Sequence, residues 1–227
     1  MLRQRAFEGV IAGMIVAFLA GTLALALALA FALPGAAFAQ GRPPTVVVLG
    51  DSLSAGYGLP PGADFVSVLE RALKARGHDV RLVNAGVSGD TSTGGLERLD
   101  WSVPDGTDGV IVELGANDML RGVDPAVTQK ALETIVTRLK DRGIPVMLAG
   151  MLAQRNLGPA YTGRFDAIYP DLARKHGLVL YPFFLEGVAG DRVLNLPDGL
   201  HPTAKGIERI VERILPTVES FLGRLRA

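Results

Sequence analysis

Largely apolar runs of six or seven residues recur along the chain, at positions 44–50, 80–86, 109–115, 144–150 and 178–183. These runs are rich in Val, Ile and Leu and show little alternation of polar and apolar residues. That pattern is typical of strands buried on both faces, as in parallel sheets covered by helices on two sides. The sequence therefore predicts five strands in a mainly parallel sheet.

Amphipathic segments separate the apolar runs, and their periodicity of about 3.6 residues predicts helices. The predicted helices cover residues 64–76, 93–99, 125–143, 165–177 and 203–222. Asp64 is suited to cap the first helix and Gly77 to end it, whereas Pro170 and Pro216 are expected to bend or split the last two. The polar stretch 154–163 is predicted to be a loop. Strands that alternate with helices in this way predict one α/β domain.

The first 39 residues differ in composition from the rest of the chain. Two arginines precede an apolar run at 10–33, and a small-x-small sequence follows at 37–39. This order predicts a signal peptide over residues 1–39, cleaved before Gln40. The run exceeds the usual length of about 7–15 residues, so an uncleaved membrane anchor stays open as an alternative. In both cases residues 40–227 are expected to work outside the cytoplasm, in the periplasm or as a secreted protein.

The composition narrows the chemistry that the chain can carry. With 23 basic and 23 acidic side chains the net charge is zero, which gives no electrostatic reason to expect nucleic acid as a partner. The sequence contains no cysteine, so disulfides, thiolate catalysis and cysteine-ligated metals are excluded. Three histidines leave little material for a histidine-rich metal site.

Polar residues with chemical potential follow the predicted strands. Ser52 comes directly after the first apolar run, Gly89 follows the second and Asn117 follows the third. Asp198 and His201 lie just before the last predicted helix. In parallel sheets ligands bind beyond the carboxyl ends of the strands, so we expect these five residues to meet at one edge.

These residue types suit acyl transfer. A serine hydroxyl needs an adjacent base, and Asp198 is close enough in sequence to orient His201 as that base for Ser52. The backbone N–H groups of Ser52 and Gly89 and the side-chain amide of Asn117 could stabilise an oxyanion. The alternative interpretation is ordinary turn chemistry, because Asp, Gly and Asn are also the residues that loops use.

Four short blocks also resemble a known family. The sequences GDSLSAGYG, NAGVSGDTS, LGANDMLRG and DGLHP occur in this order between residue 50 and the last helix. They resemble the blocks of the SGNH hydrolases, also called the GDSL esterase/lipase family. The similarity is greatest to the bacterial periplasmic branch of thioesterases, arylesterases and lysophospholipases. It implies that Ser52, His201 and Asp198 form a catalytic triad and that Ser52, Gly89 and Asn117 form the oxyanion hole.

The resemblance implies further properties of the fold and the substrate. It implies a three-layer, flavodoxin-like sandwich that needs no cofactor. We also expect no metal site, a small-molecule acyl ester or thioester as the substrate, and a monomeric enzyme. Membrane contact is expected only through an uncleaved N-terminal segment. Leu152, Leu157 and Tyr161, in the stretch after the fourth strand, would line an acyl-chain groove, unless that stretch is a solvated connection. Residues 183–185 are expected to belong to the core. Ala116 stands where a second glycine is common in that branch, which leaves the Asn117 donor intact.

Two other functions stay open at this point. Four acids could gather at the same edge of the sheet, and hard divalent cations favour carboxylate ligands, which would suit a metal-dependent phosphoesterase. These acids are Asp51, Asp90, Asp118 and Asp198. The fold could also serve as a non-catalytic binding module of the cell envelope, although none of the five site residues is missing.

Overall fold

The structure, a computed structural model, describes residues 42–225, and the predicted signal peptide or anchor lies outside this range. Its centre is a sheet of five strands in the order β2-β1-β3-β4-β5, and all neighbouring strands are parallel. The strands are β1 (Thr45–Gly50), β2 (Arg81–Gly86), β3 (Gly109–Glu113), β4 (Val146–Ala149) and β5 (Val179–Tyr181). The predicted α/β fold with a parallel five-stranded sheet is therefore confirmed.

Strand β1 is an interior strand of the sheet, as its apolar residues on both faces require. Its residues Val46 to Leu49 are all buried, and it pairs with β2 on one side and β3 on the other. In this register Gly50 lies opposite both Gly86 and Glu113. The carboxyl ends of three strands are therefore level, which brings the polar segments that follow them to one edge.

Helices cover both faces of the sheet. Within residues 42–225 they are α1 (Ser52–Ala55), α2 (Phe65–Ala75), α3 (Ser92–Glu97), α4 (Leu99–Ser102), α5 (Ala116–Leu120), α6 (Pro125–Asp141), α7 (Pro159–Asp166), α8 (Ile168–His176) and α9 (Ala204–Leu225). A short 3₁₀ helix covers Arg155–Leu157. Helices α2 and α9 pack against each other, whereas α6 packs against α3 and α8. None of the helices in this range is long and apolar enough to cross a bilayer.

The order of the strands reverses next to β1. The chain moves outward from β1 to β2 and then returns past β1 to add β3, β4 and β5 on the other side. In open α/β sheets of this order, the crevice at such a switch point is the usual place for a ligand. Strand β1, buried from Val46 to Gly50, thus ends at the position best suited to chemistry.

The structure corrects the predicted elements at several positions. Helix α7 begins at Pro159, inside the stretch predicted to be a loop. The helical segment breaks at Ala167 rather than at Pro170, which occupies the first turn of α8, where a backbone N–H has no helical partner to lose. Helix α9 continues through Pro216. The four- and five-residue helices α1 and α5 were not predicted, because so few residues show no periodicity.

Candidate active site

Ser52 is held at the tip of β1 by the start of a short helix. It is the first residue of α1, and the Asp51 side chain caps this helix by accepting the N–H of Leu53 at 2.9 Å. The Ser52 hydroxyl lies 2.9 Å from Nε2 of His201, a residue 149 positions later in the chain. Nδ1 of His201 lies 2.7 Å from Oδ2 of Asp198. The structure therefore brings the three predicted triad residues into one hydrogen-bonded chain.

The charge on Asp198 determines which ring nitrogen of His201 carries the hydrogen. Asp198 Oδ1 accepts the backbone N–H groups of His201 at 3.0 Å and Leu200 at 2.9 Å. These hydrogen bonds, above all the one from His201, lower the pKa of Asp198 to about 2. An ionised carboxylate can only accept, so Nδ1 of His201 carries the hydrogen and Nε2 is left to accept from the Ser52 hydroxyl. This is the tautomer that a general base requires.

Tyr57, which was not predicted to be part of the site, packs on the imidazole of His201. The ring centroids of Tyr57 and His201 are 4.4 Å apart, with an angle of 35° between the planes. Tyr57 is itself half-exposed, so it covers the histidine on the solvent side. The only signal in the sequence is its position in the GDSLSAGYG block. The contact restricts the orientations open to His201.

Two of the three predicted oxyanion donors, the N–H groups of Ser52 and Gly89, are available to a ligand in the described part of the chain. Gly89 has a φ of 86°, a conformation that favours glycine. Neither its N–H nor that of Ser52 donates to another group within residues 42–225. Asn117 differs, because Nδ2 donates to the carbonyl of Asp90 at 2.9 Å and to Oδ2 of Asp51 at 3.0 Å. Both hydrogens of this amide already have acceptors.

Two buried carboxyl groups, Asp51 and Glu113, lie next to Ser52. Burial raises the pKa of Asp51 to about 6. Burial, followed by the charge of Asp51, raises the pKa of Glu113 well above its usual range. The N–H of Asp51 approaches Oε2 of Glu113 at 3.4 Å, and Oε1 has no hydrogen-bond partner in the described part of the chain. Burial therefore favours the neutral form of the Glu113 carboxyl group over the charged form. Nothing in the sequence indicates this buried pair, since Glu113 stands within an apolar strand.

An apolar cavity of about 320 Å³ opens beside Ser52 and His201. Its wall comes from four separate parts of the chain, and the apolar side chains in it include Leu53, Met119, Leu120, Met151, Leu152, Phe183, Leu185 and Leu200. Among the described residues that line the cavity, His201 alone has an acidic or basic side chain. The cavity therefore suits the hydrocarbon part of a substrate rather than a charged group.

The structure separates the three residues predicted to line an acyl groove. Leu152 lines the cavity, whereas Leu157 and Tyr161 are not part of its wall. Tyr161 instead donates its hydroxyl to the carbonyl of Val123 at 2.8 Å and stacks on Phe165. Leu157 belongs to the 3₁₀ helix, with its side chain partly exposed. The assignment of Leu157 and Tyr161 to the groove thus has no support in the geometry.

The apolar residues after β5 also divide between core and cavity. Phe184 is fully buried, as expected for a core residue. Phe183 and Leu185 pack against the core as well, but both also line the cavity. The expectation that residues 183–185 are core alone was too narrow, because the chain turns here and exposes alternate side chains to the site.

The four acids considered as metal ligands do not share a centre. Each accepts hydrogen bonds from neighbouring protein groups: Asp51 from Leu53 and Asn117, Asp90 from Arg98, Asp118 from Ser92 and Thr128, and Asp198 from Leu200 and His201. Within residues 42–225, no three His, Asp or Glu side chains are grouped so that they could hold a metal ion. The carboxylates point to separate protein donors.

A doubly wound parallel sheet with a serine, a histidine and an aspartate in hydrogen-bonded sequence at its carboxyl edge defines a serine hydrolase. Comparison with known proteins gives the family. The sequence model of the GDSL-like lipase/acylhydrolase family matches residues 48–209, more than half of the chain. The chain belongs to this family and is an ester-hydrolysing enzyme.

Individual relatives agree with this assignment. Esterase TesA of Pseudomonas aeruginosa is 39% identical over 179 residues, which is 78% of this chain and 89% of TesA. Thioesterase 1/protease 1/lysophospholipase L1 of Escherichia coli K12 is 38% identical over 159 residues, 70% and 75% of the two chains. The crystal structure of AlinE4, an SGNH-hydrolase family esterase, is 45% identical with a TM-score of 0.68 and covers 79% of this chain and 97% of AlinE4.

Proposed function

We propose that Ser52 is the nucleophile of this enzyme and that it hydrolyses carboxylic esters and acyl thioesters through an acyl-enzyme. The observation that carries the proposal is the hydrogen-bonded chain Ser52–His201–Asp198 at the mouth of an apolar cavity. The cavity accepts the acyl chain, and the leaving alcohol or thiol remains on the solvent side.

Acylation begins when the Ser52 oxygen attacks the carbonyl carbon of the substrate. His201 Nε2 takes the hydroxyl proton, and the Asp198 carboxylate stabilises the imidazolium that forms. The N–H groups of Ser52 and Gly89 donate to the developing oxyanion. Asn117 joins them when one of its two N–H groups turns from its present acceptor, Asp51 or the Asp90 carbonyl, toward the oxyanion.

Collapse of the tetrahedral intermediate breaks the bond to the leaving group. His201 gives its proton to the departing oxygen or sulfur, and the acyl group stays on Ser52. A water molecule then attacks the acyl carbon and gives a proton to His201. The bond from the acyl carbon to the Ser52 oxygen breaks, His201 returns the proton to that oxygen, and the carboxylic acid is released. No cofactor is needed for either half of this reaction.

The shape of the site supports acyl substrates with a hydrocarbon chain. The wall is mainly apolar and close to Ser52, so hydrophobic burial adds to binding as the chain lengthens, by about 0.8 kcal/mol per buried methylene. Relatives of this chain are named as esterase and as thioesterase and lysophospholipase. We extend these activities to the present enzyme as its substrate classes.

Substitution of Ser52 by alanine tests the mechanism. S52A is expected to lose hydrolysis of p-nitrophenyl esters and covalent labelling by a fluorophosphonate, because the attacking oxygen is gone. The matched control is Ser220→Ala, which removes an exposed serine on α9. Full activity of folded S52A would overturn the proposal. A metal-dependent phosphoesterase would instead lose activity on treatment with a chelator and leave the fluorophosphonate unreacted.

We also propose that residues 1–39 are a signal peptide and that the mature enzyme is a monomer outside the cytoplasm. The charged start, apolar run and small-x-small end of this segment support export. N-terminal sequencing of the enzyme from the producing cell should begin at Gln40. A start at residue 1 in a membrane fraction would favour the anchor, and sedimentation would measure the oligomeric state.

A further inference from the structure

A buried guanidinium joins the segments that carry the proposed nucleophile and oxyanion hole. Arg98 lies between α3 and α4 and is only 7% exposed. A buried charge is costly unless it is paired and its hydrogen bonds are satisfied. Here Nε lies 2.5 Å from Oδ2 of Asp90, so the charge has an ionic partner.

The remaining donors of Arg98 reach the ends of two strands. Nη2 donates to the carbonyl of Gly50 at 2.8 Å, and Nη1 donates to the carbonyl of Ala85 at 2.7 Å. Nη1 also donates to the hydroxyl of Ser102 at 3.0 Å, within the helical segment of Arg98 itself. One planar group therefore contacts the last residue of β1, the penultimate residue of β2 and the segment that follows β2.

These contacts are adjacent to the reacting groups at each point. Gly50 is two residues before Ser52, and Asp90 directly follows Gly89. The carbonyl of Asp90 also accepts from the Asn117 amide. A shift of Asp90 would therefore move the Gly89 N–H and the Asn117 amide relative to Ser52.

We propose that Arg98 is a positioning residue for ester hydrolysis, because its guanidinium fixes the Gly89–Asp90 segment relative to the Gly50–Ser52 segment. This inference depends on the proposed function of Ser52. Arg98 contacts no substrate, and it acts by keeping the backbone N–H groups of Ser52 and Gly89 convergent on one oxyanion. Preorganised donors of this kind gain their effect from fixed geometry, and a displacement of about 1 Å can cost about 100-fold in rate.

The contacts need arginine in particular. Its rigid fork presents donors in several fixed directions within one plane, whereas the lysine ammonium is a compact point charge on a flexible stem. Lysine at this position could pair with Asp90 or reach one strand end, but it could not hold Gly50, Ala85 and Asp90 together. We therefore expect Arg98→Lys to behave more like a loss of the side chain than like a conservative change.

The first experiment measures steady-state hydrolysis of a p-nitrophenyl ester by the wild type, R98A and R98K. We expect kcat to fall about 10- to 100-fold in both variants, with KM changed by less than about twofold, because the lost geometry matters mainly in the transition state. Millimolar guanidinium ion should restore part of kcat in R98A by occupying the vacated position. Arg138→Ala is the matched control. It removes the exposed ion pair that Arg138, on α6, forms with Asp100, two residues after Arg98. Its kcat should stay unchanged with or without guanidinium.

A second variant tests the link to the oxyanion segment without removing the arginine. Asp90→Ala cuts only the ionic contact, and we expect a fall in kcat of about 10-fold or more. If the two residues act through one contact, the double variant R98A/D90A should be much less impaired than the product of the single effects. Should R98A fail to fold, D90A in folded protein decides the question.

The positioning role is overturned if folded R98A, or folded D90A when R98A does not fold, keeps a wild-type kcat. It is also overturned if kcat falls only in proportion to the folded fraction and guanidinium restores nothing. In these cases the wild type still hydrolyses the ester and reacts with the fluorophosphonate, so the proposed function stands. A wild-type protein that does neither would overturn both proposals.

Discussion

At the scale of single residues, the hydrogen bonds of Asn117 in the free enzyme differ from those that the proposed mechanism requires during turnover. Its amide holds the Asp90 carbonyl and Asp51, and both hydrogens have acceptors before substrate arrives. Two hydrogen bonds thereby hold the amide in place. In the proposed mechanism the oxyanion replaces one of these acceptors, and its full negative charge makes the new hydrogen bond stronger than one to the neutral Asp90 carbonyl.

Asn117→Ala should separate binding from turnover. We expect kcat for a p-nitrophenyl ester to fall by about 10²–10³, the usual result of removing one oxyanion donor, while KM changes little. Asn156→Ala, which removes an exposed asparagine of the 3₁₀ helix, is the control. An effect on kcat below about threefold would mean that the amide stays with its present acceptors and that the Ser52 and Gly89 N–H groups act alone.

Glu113 provides a test by pH. Its pKa is raised in the folded protein, so between its ordinary pKa and the raised one the folded state binds more protons than the unfolded state. The free energy of unfolding must then fall as the pH rises, by up to about 1.4 kcal/mol per unit from this group. Glu113→Gln removes the titration. Urea unfolding should therefore show E113Q gaining stability relative to the wild type from pH 4 to pH 7.

The control for Glu113→Gln is Glu97→Gln, which changes an exposed glutamate on α3. Its stability difference from the wild type, measured over the same pH range, is the baseline for the loss of one surface carboxyl group. A difference for E113Q that stays constant between pH 4 and pH 7 would show that the buried carboxyl group is ionised in the folded enzyme.

At the scale of elements, the junction between β3 and α5 depends on one glycine. Gly115 has a φ of 120°, and a Cβ placed there would lie 2.1 Å from the hydroxyl oxygen of Tyr169. That hydroxyl donates to the carbonyl of Leu114 at 2.8 Å in the buried core. This hydrogen bond gives the Leu114 carbonyl, just beyond the end of β3, a partner in the core. Helix α5 begins two residues later and places Asn117 at the site.

Gly115→Ala should therefore disturb more than the local backbone. We expect it to lower the free energy of unfolding by about 1–3 kcal/mol more than Gly77→Ala does. Gly77 also has a positive φ, but nothing lies within 4 Å of a carbon added there. The measurement is denaturant unfolding of both variants. Equal losses would show that Tyr169 moves aside without cost.

The elements also show how far the sequence could predict the structure. The helices α2, α6 and α9 and all five strands were predictable, because each contains enough residues to display a period or a continuous apolar run. Helices α1 and α5 contain too few residues for that, although they carry Ser52 and Asn117. Arg98 and Glu113 escaped notice for another reason. Their importance depends on what lies next to them in space: Arg98 reaches the carbonyl of Gly50, 48 positions earlier, and Glu113 approaches the N–H of Asp51, 62 positions earlier.

At the scale of the whole molecule, the cavity is a product of the fold and not of one element. Residues from α1, α5, the segment after β4 and the segment after β5 all contribute to its wall. The sequence pointed to the segment after β4 but could not say which of its side chains face the site. Leu152 and Leu157 are each 37% exposed, yet only Leu152 lines the cavity.

This pair gives a matched test of substrate binding. Leu152→Trp should narrow the cavity and shift the preference of the enzyme toward shorter acyl chains, whereas Leu157→Trp should leave it unchanged. The ratio of kcat/KM across a series of p-nitrophenyl esters of graded length measures the shift. A larger effect from L157W than from L152W would mean that the acyl chain follows a path outside the cavity.

The separation of Ser52 from His201 along the chain has a consequence for assembly. If Ser52 and His201 act as proposed, a polypeptide cut anywhere before Asp198 has no hydrolytic activity, however well its earlier strands have formed, because its serine has no base to take a proton. The rate at which hydrolysis returns after dilution from denaturant therefore measures how fast the segment with Asp198 and His201 packs against the segment with Ser52. Two halves expressed as separate polypeptides would regain turnover only by reassociating.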